Sequence, residues 1–192
     1  GNSVDLKILE KMVNRIQHRG PDDKGVWHNE NIGLGHTRLS IMDLSKKGHQ
    51  PMVDSQSNSV ISYNGEVYNF NEIKNKELAG EFFRSRTDTE VVLKSLVKSG
   101  TDALTQFQGM FSLAYYDGIS RTLILACDTI GIKPLYYHIN KERLIFCSEI
   151  KPLFLDQKTP RQANLKALSQ HILYGYALAP LTAFDEIYKL EP

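Results

Sequence analysis

Apolar residues recur at helical spacing near the start of the chain, where Leu9, Met12, Val13 and Ile16 lie three and four apart. The spacing predicts a helix over 4–18, capped by Asn2 or Ser3 and stopped by Gly20-Pro21. The period then shortens: strand-like pieces fall at 24–28 and 31–39, broken by glycines, and 43–57 is rich in loop residues. Residues 59–63 read as a strand that runs into Asn64-Gly65-Glu66. Asn-Gly after β-branched and aromatic residues is a strong hairpin signal. Residues 69–78, though, read as a helix and not as a second strand, so the strand is expected to end at Asn-Gly for another reason. A short strand is predicted at 81–84. Thr87-Asp88-Thr89-Glu90 has the form of a capping box, with Val91, Val92, Leu93, Leu96 and Val97 as the apolar face of the helix it starts and Gly100 as its end. A shorter helix is expected at 101–107.

From Met110 the alternation is that of strands, at 110–116, 121–127, 134–139 and 143–148, joined by short turns; this predicts a four-stranded antiparallel meander. A helical turn, a polar stretch at 156–164, a helix at 165–174 and a proline-containing, weakly patterned 176–192 complete the chain. The boundary is expected near 158, with residues 1–158 as one domain and 159–192 as an appended segment. Helices before and between antiparallel strands give an α+β fold with helices covering sheets, the number of layers being open.

Composition narrows the classes. A chain of 192 residues suits one domain of ordinary size. With 41% hydrophobic and 23% charged residues it is a folding sequence, not a disordered one. Lys+Arg at 23 against Asp+Glu at 22 gives no field to attract nucleic acid or an acidic membrane surface. No apolar run reaches bilayer length and the N-terminus has no signal-peptide pattern. Cys127 and Cys147 sit inside strand patterns and form neither a disulfide framework nor a metal spacing, and none of the six histidines is spaced as a metal pair. The expectation is a cytoplasmic protein with no bound metal in this region.

Five local features carry candidate chemistry: His18-Arg19-Gly20-Pro21-Asp22, His36-Thr37-Arg38-Leu39-Ser40-Ile41, Asn64-Gly65-Glu66, Thr87-Asp88, and Asp128 with Gly131-Ile132-Lys133-Pro134-Leu135-Tyr136-Tyr137. Singly, each has an ordinary reading as a helix stop, a surface arginine, a turn, a helix cap or an interstrand loop. As an ordered set, together with "GHQPM" (48–52), "FQGMFSLAYYD" (107–117) and "FCSEIKPL" (146–153), they resemble the glutaminase domain of class II glutamine amidotransferases, most nearly that of the glutamine-hydrolysing asparagine synthetases. The resemblance covers essentially the whole chain.

The resemblance implies an N-terminal-nucleophile hydrolase fold: a four-layer αββα sandwich of two antiparallel sheets. It implies glutamine as the ligand, hydrolysed to glutamate and ammonia. Asn64 and the Gly65 N–H would form the oxyanion hole, Arg38 would hold the α-carboxylate, and Glu66 and Asp88 the α-ammonium. The backbone near Leu39, Ile41 and Met42 would line the same pocket. No cofactor is expected in this domain; ATP and magnesium belong to a synthetase domain expected after residue 192, with 159–192 as its lead-in and a homodimer among the assemblies open to it. The family nucleophile is an N-terminal cysteine on a short strand before the first helix, whose own amine is the general base. The 192 residues open instead with Gly1-Asn2-Ser3, so the first strand is expected to be missing and the chain as it stands inactive. Two alternatives stand beside the synthetase reading: a non-catalytic module of the same fold, and an amidotransferase with another acceptor. Cys127, where the family more often has arginine before Asp128, puts the local charge network in question.

Overall fold

The first helix, α1 (Leu6–Arg15), is capped by Asp5, whose side chain accepts a hydrogen bond from the Ile8 N–H at 3.1 Å. The cap is thus Asp5 and not Ser3, while the Asn2 alternative lies outside residues 3–192, which the computed structural model describes. The helix is also shorter than its apolar spacing suggested, giving way to a 3₁₀ turn at Gln17–Arg19. Met12 and Val13 are its buried residues.

Among the described residues the strands form three antiparallel sheets. Strands β1 (Asp23–His28) and β2 (Gly33–Arg38) form a hairpin. Strands β3 (Met52–Val53), β4 (Val60–Val67), β5 (Gly109–Asp117) and β6 (Thr122–Cys127) form a four-stranded sheet in that order. Strands β7 (Tyr136–Ile139), β8 (Leu144–Cys147) and β9 (Tyr188–Lys189) form the third, in the order β8-β7-β9. The predicted meander is therefore divided: β5-β6 and β7-β8 are hairpins in different sheets. The chain leaves β6 at Asp128, whose carboxylate collects the backbone N–H groups of Ile130, Ile132 and Lys133 and so ties the connection into a tight loop instead of a ladder.

Strand β4 has two apolar faces. Ile61, Tyr63 and Val67 pack with Phe111, Leu113 and Tyr115 of β5 against Val91, Val92, Leu93 and Leu96 of α3 (Asp88–Ser99), with Ile73 of α2 (Phe70–Lys76) beside them. On the opposite face Val60, Ala114 and Tyr116 meet Leu34 of β2, Trp27 of β1 and Phe146 of β8. Both small sheets thus pack on the same side of the four-stranded sheet. Met12 and Ile8 of α1, with Ile16 just after it, cover them from outside, in a cluster with Cys147 and Leu153. The layers run α1, small sheets, four-stranded sheet, α2 with α3, which is the expected α+β sandwich. No helix among the described residues is long and apolar enough to cross a membrane.

Three local expectations are corrected. Strand β4 does not stop at Asn64-Gly65 but continues to Val67, each residue paired with β5. Residues 81–84 are not a strand: the Arg84 and Ser85 N–H groups donate to the Glu90 carboxylate at 2.8 and 2.6 Å, which fastens this segment to the start of α3. The capping box is correspondingly half-formed. Thr87 accepts from the Glu90 N–H, but the Glu90 side chain serves 84 and 85. The helix expected at 101–107 is a 3₁₀ helix, Gly100–Gln106.

The segment 159–192 is partly built into this core. Ile187 is 1% exposed, Phe184 stands edge-on to Phe154 with centroids 4.8 Å apart, and the Leu190 N–H donates to the Leu135 carbonyl at 2.8 Å. Helix α4 (Leu165–Tyr174), by contrast, leaves Leu165, Ile172, Leu173 and Tyr174 exposed.

Candidate active site

Arg38 ends β2 and is 8% exposed. Its guanidinium donates to the Ser45 carbonyl at 3.0 Å and to the Asp43 carbonyl, so residues 39–45 wrap around it. Gly48 completes the enclosure, since a Cβ there would lie 2.2 Å from the guanidinium. The Asp43 carboxylate accepts from the N–H groups of Ser45 and Arg86; the Ser45 side chain first, then these N–H groups, hold its pKa at about 2. Leu39, Ile41 and Met42 are left on the rim, 55%, 75% and 41% exposed.

The opposite wall is β4. Strand β3 pairs only with Val60 and Ile61. Beyond it, the Gln50 side chain stands in for a neighbouring strand, accepting from the Tyr63 N–H at 2.7 Å and donating to the Tyr63 carbonyl at 3.1 Å. The Val67 N–H, four residues on, donates to Asp88 at 3.0 Å. N–H groups in an antiparallel strand alternate in direction. The Gly65 N–H therefore points to the same edge as those of Tyr63 and Val67, away from β5 and into the gap between Gln50 and Asp88. The Asn64 Nδ2 is buried and has no hydrogen-bond partner among the described residues. Gly65 is required by the sheet: a Cβ would fall 2.2 Å from the Met110 carbonyl oxygen. The absence of a side chain at Gly65 is what lets β4 pass β5.

Asp88, at the first turn of α3, is 5% exposed. One carboxylate oxygen accepts from the Tyr63 hydroxyl at 2.7 Å and the Val67 N–H at 3.0 Å. Burial raises its pKa above the usual carboxylate range despite these bonds, and burial with the Asp88 charge raises that of Tyr63. The burial cost is one that a cation at the site would offset.

All the residues singled out from the sequence, Arg38, Leu39, Ile41, Met42, Asn64, Gly65, Glu66 and Asp88, line one cavity of about 430 Å³. It extends from them into a groove between β2 and β8, lined by Leu144 and Phe146 and floored by Leu9 and Val13 of α1. Among the further lining residues that received no role from the sequence are Gln50, Tyr63 and His36. Gln50 belongs to the "GHQPM" stretch, a polar residue before a proline at a strand entrance, which was the available signal. Nothing in the pattern distinguished Tyr63 from the core tyrosines.

Of the remaining motifs, Arg19, Lys133 and Leu135 also line this cavity. His18 contacts Glu149 at 2.8 Å and Arg19 does so at 3.4 Å. Asp128 is served by backbone N–H groups, which outweigh the effect of burial and hold its pKa low; Cys127 donates to the Glu191 carbonyl at 3.2 Å.

The family described as "Glutamine amidotransferase domain" matches residues 1–192. Asparagine synthetase (glutamine-hydrolyzing) 2 of Bacillus subtilis is 40% identical over 88% of this chain and 23% of its own length. A Methanocaldococcus jannaschii protein proposed to have the same activity is 36% identical over all of this chain and 41% of its own. The chain thus spans well under half the length of these relatives. Glutamine phosphoribosylpyrophosphate amidotransferase of B. subtilis superposes with a TM-score of 0.67, covering 81% of this chain and 42% of that one at 20% identity, which is a likeness of fold.

Proposed function

The chain belongs to the glutamine amidotransferase domain family, and on that premise we propose that its cavity is a glutaminase site. Glutamine lies with its α-carboxylate on Arg38, a planar fork suited to a carboxylate. Its α-ammonium lies between Glu66 and Asp88, where a positive charge offsets the cost of burying the Asp88 carboxylate. Its side-chain carbonyl points at the Asn64 Nδ2 and the Gly65 N–H. The observation that carries the reading is the pair of unused donors, one buried amide and one strand N–H, at the same cavity as a buried arginine and a buried carboxylate. Such donors stabilise the oxyanion of a tetrahedral intermediate by about 3 kcal/mol each.

The nucleophile implied by the resemblance, a terminal cysteine on a strand, is assigned to the groove between β2 and β8. Its thiolate adds to the amide carbon, its amine carries the proton to the departing nitrogen, ammonia leaves, and water hydrolyses the thioester to glutamate. In the whole protein the ammonia would go into asparagine, as the names of the relatives suggest, in a further domain for which the family resemblance implies ATP and magnesium.

The test adds a processed Cys-Gly-Ile-type strand ahead of Asn2. Glutamate release from glutamine is expected with cysteine at the terminus and is lost with alanine, while both versions gain thermal stability from the added strand. Asn64→Ala should lower turnover about a hundredfold. A well-folded, processed cysteine version that releases no glutamate overturns the glutaminase reading in favour of a binding module.

A further inference from the structure

Tyr63 lines the cavity and has no role in the glutaminase steps described for Arg38, Asn64, Gly65, Glu66 and Asp88. It lies two residues after Ile61 on β4 and therefore on the same face, in the apolar cluster under α3, with its ring stacked beside Phe111 at 6.5 Å between centroids. The Gln50 side chain holds both its N–H and its carbonyl. The residue is 2% exposed. With backbone and ring both fixed, the hydroxyl is delivered to one place, the Asp88 Oδ2 at 2.7 Å.

The proton in that contact belongs to Tyr63. Burial, and after it the Asp88 charge, raise the Tyr63 pKa above the usual phenol range, so the hydroxyl stays protonated and donates to the carboxylate. The Val67 N–H donates to the same oxygen at 3.0 Å. One donor comes from the core face of β4 and the other from its free edge, so the carboxylate cannot turn without breaking both bonds. A phenol donating to a carboxylate makes a charge-assisted bond, stronger than a neutral one. Burial raises the Asp88 pKa, and the Tyr63 hydroxyl is the foremost influence against it, ahead of the Val67 N–H. The ring alone would fill the core; what the hydroxyl adds is a proton donor at Asp88.

We propose that Tyr63 is the positioning residue of the α-ammonium subsite: its hydroxyl aims the Asp88 carboxylate and keeps it an anion in a buried setting, ready for the positive end of an amino acid. This rests on the glutaminase reading and deepens it, since Tyr63 acts through Asp88 and not by touching the ligand. The other charged or titratable groups on the neighbouring elements are Glu66 on β4, His36 and Arg38 on β2, and Asp43 in the loop after it; Glu90 of α3 is taken up by the N–H groups of 84 and 85. Because several of these can take up protons in acid, the test reads Asp88 itself.

Carbon spectra of the unsubstituted, ligand-free chain across the acid range should show the Asp88 carboxyl carbon and the hydroxyl-bearing ring carbon of Tyr63 moving together, with one midpoint. A Tyr63 carbon indifferent to the Asp88 titration overturns the proposal without any variant having to fold. Tyr63→Phe keeps the ring and removes the donor. The Asp88 midpoint should then rise by roughly one pH unit, the equivalent of one hydrogen bond to a charged group. The acid limb of glutamine affinity, followed by calorimetry, should rise with it, so that most of the affinity lost in Tyr63→Phe returns as the pH is raised. A hydroxyl that serves only the core would leave both midpoints in place, and any loss of affinity would persist at every pH; either result contradicts the proposal. Glutamine that binds with an unshifted limb removes only the Tyr63 assignment. Glutamine that binds neither the unsubstituted chain nor the variant overturns the glutaminase reading, and the proposal with it.

Discussion

The two walls of the cavity are built differently. The β4 wall is rigid: it is paired with β5 along its whole length, backed by the α3 core, and buttressed at its free edge by Gln50 and Asp88. The β2 wall is paired with β1, but the loop that follows it wraps around one side chain. Arg38 gathers the Asp43 and Ser45 carbonyls, its loop exposes Leu39, Ile41 and Met42, and β2 meets a groove instead of a strand on its far side. On the proposed reading, the oxyanion donors and the carboxylates for the α-ammonium sit on the rigid wall, while the α-carboxylate clamp and the place for the nucleophile sit on the wall that can adjust. This division fits a site in which oxyanion donors must be preorganised and a ligand must enter.

The sharpest way to break the rigid wall is Gly65→Ala. The new Cβ would press on the Met110 carbonyl, an overpacking against backbone that should cost about 3 kcal/mol and lower the melting temperature by roughly 6–12 °C. An unchanged melt would mean that β4 and β5 can separate. On the adjustable wall, Arg38→Ala should weaken glutamine binding about a hundredfold, as expected for a lost bidentate charge partner of about 2.7 kcal/mol, and increase proteolysis within 39–45. Arg38→Lys should restore little, because lysine lacks the fork. Affinity by calorimetry unchanged in Arg38→Ala would remove the carboxylate clamp.

A smaller effect separates the walls by pH. The Asp88 pKa is raised in the fold, chiefly by burial, so the folded state holds this proton more tightly than the unfolded one. Its contribution to stability is most favourable below the unfolded carboxylate pKa and declines as pH rises through the folded value. Asp88→Asn should therefore stabilise the unliganded chain at neutral pH by about 1 kcal/mol while abolishing the binding of ligands that carry an α-ammonium. In the unsubstituted chain, affinity for such a ligand should rise as pH climbs through the Asp88 titration. Calorimetry from acid to neutral pH checks this, and an affinity that falls over that range contradicts it. The smallest effect lies outside both walls. Ile172 is 84% exposed on α4, so Ile172→Ser should change stability by less than about 0.5 kcal/mol and reduce self-association in sedimentation experiments. A marked loss of stability would show that α4 packs more closely than its exposure indicates.

The sequence pointed to the candidate site residues because chemistry-bearing side chains occur in ordered short motifs, and Arg38, Asn64, Glu66 and Asp88 line one cavity. It also located α3, since its apolar period and its Thr87 cap are local properties. What it misread depended on distant partners. Asn64-Gly65 has the local signature of a turn, but ladder pairing to Phe111 and Ser112 carries the strand through it. Residues 81–84 look like a strand until Glu90 takes their N–H groups. The four evenly spaced strands look like one meander because nothing in their own sequences records the Asp128 loop that sends the chain to another layer. Similarly, the tail has a weak period, yet Ile187 is among the most buried residues, packed in the cluster under α1.

The central claim, that the amide of glutamine is held by donors on the rigid wall, can be followed at one atom. The Asn64 side-chain NH2 has its own pair of nuclear resonances, and its Nδ2 is buried without a partner. Titration with glutamine should move that pair downfield in a saturable way as it acquires the carbonyl oxygen, and Arg38→Ala should abolish the shift by removing the ligand. Glutamine that binds at this cavity while the Asn64 resonances stay where they were would contradict the account.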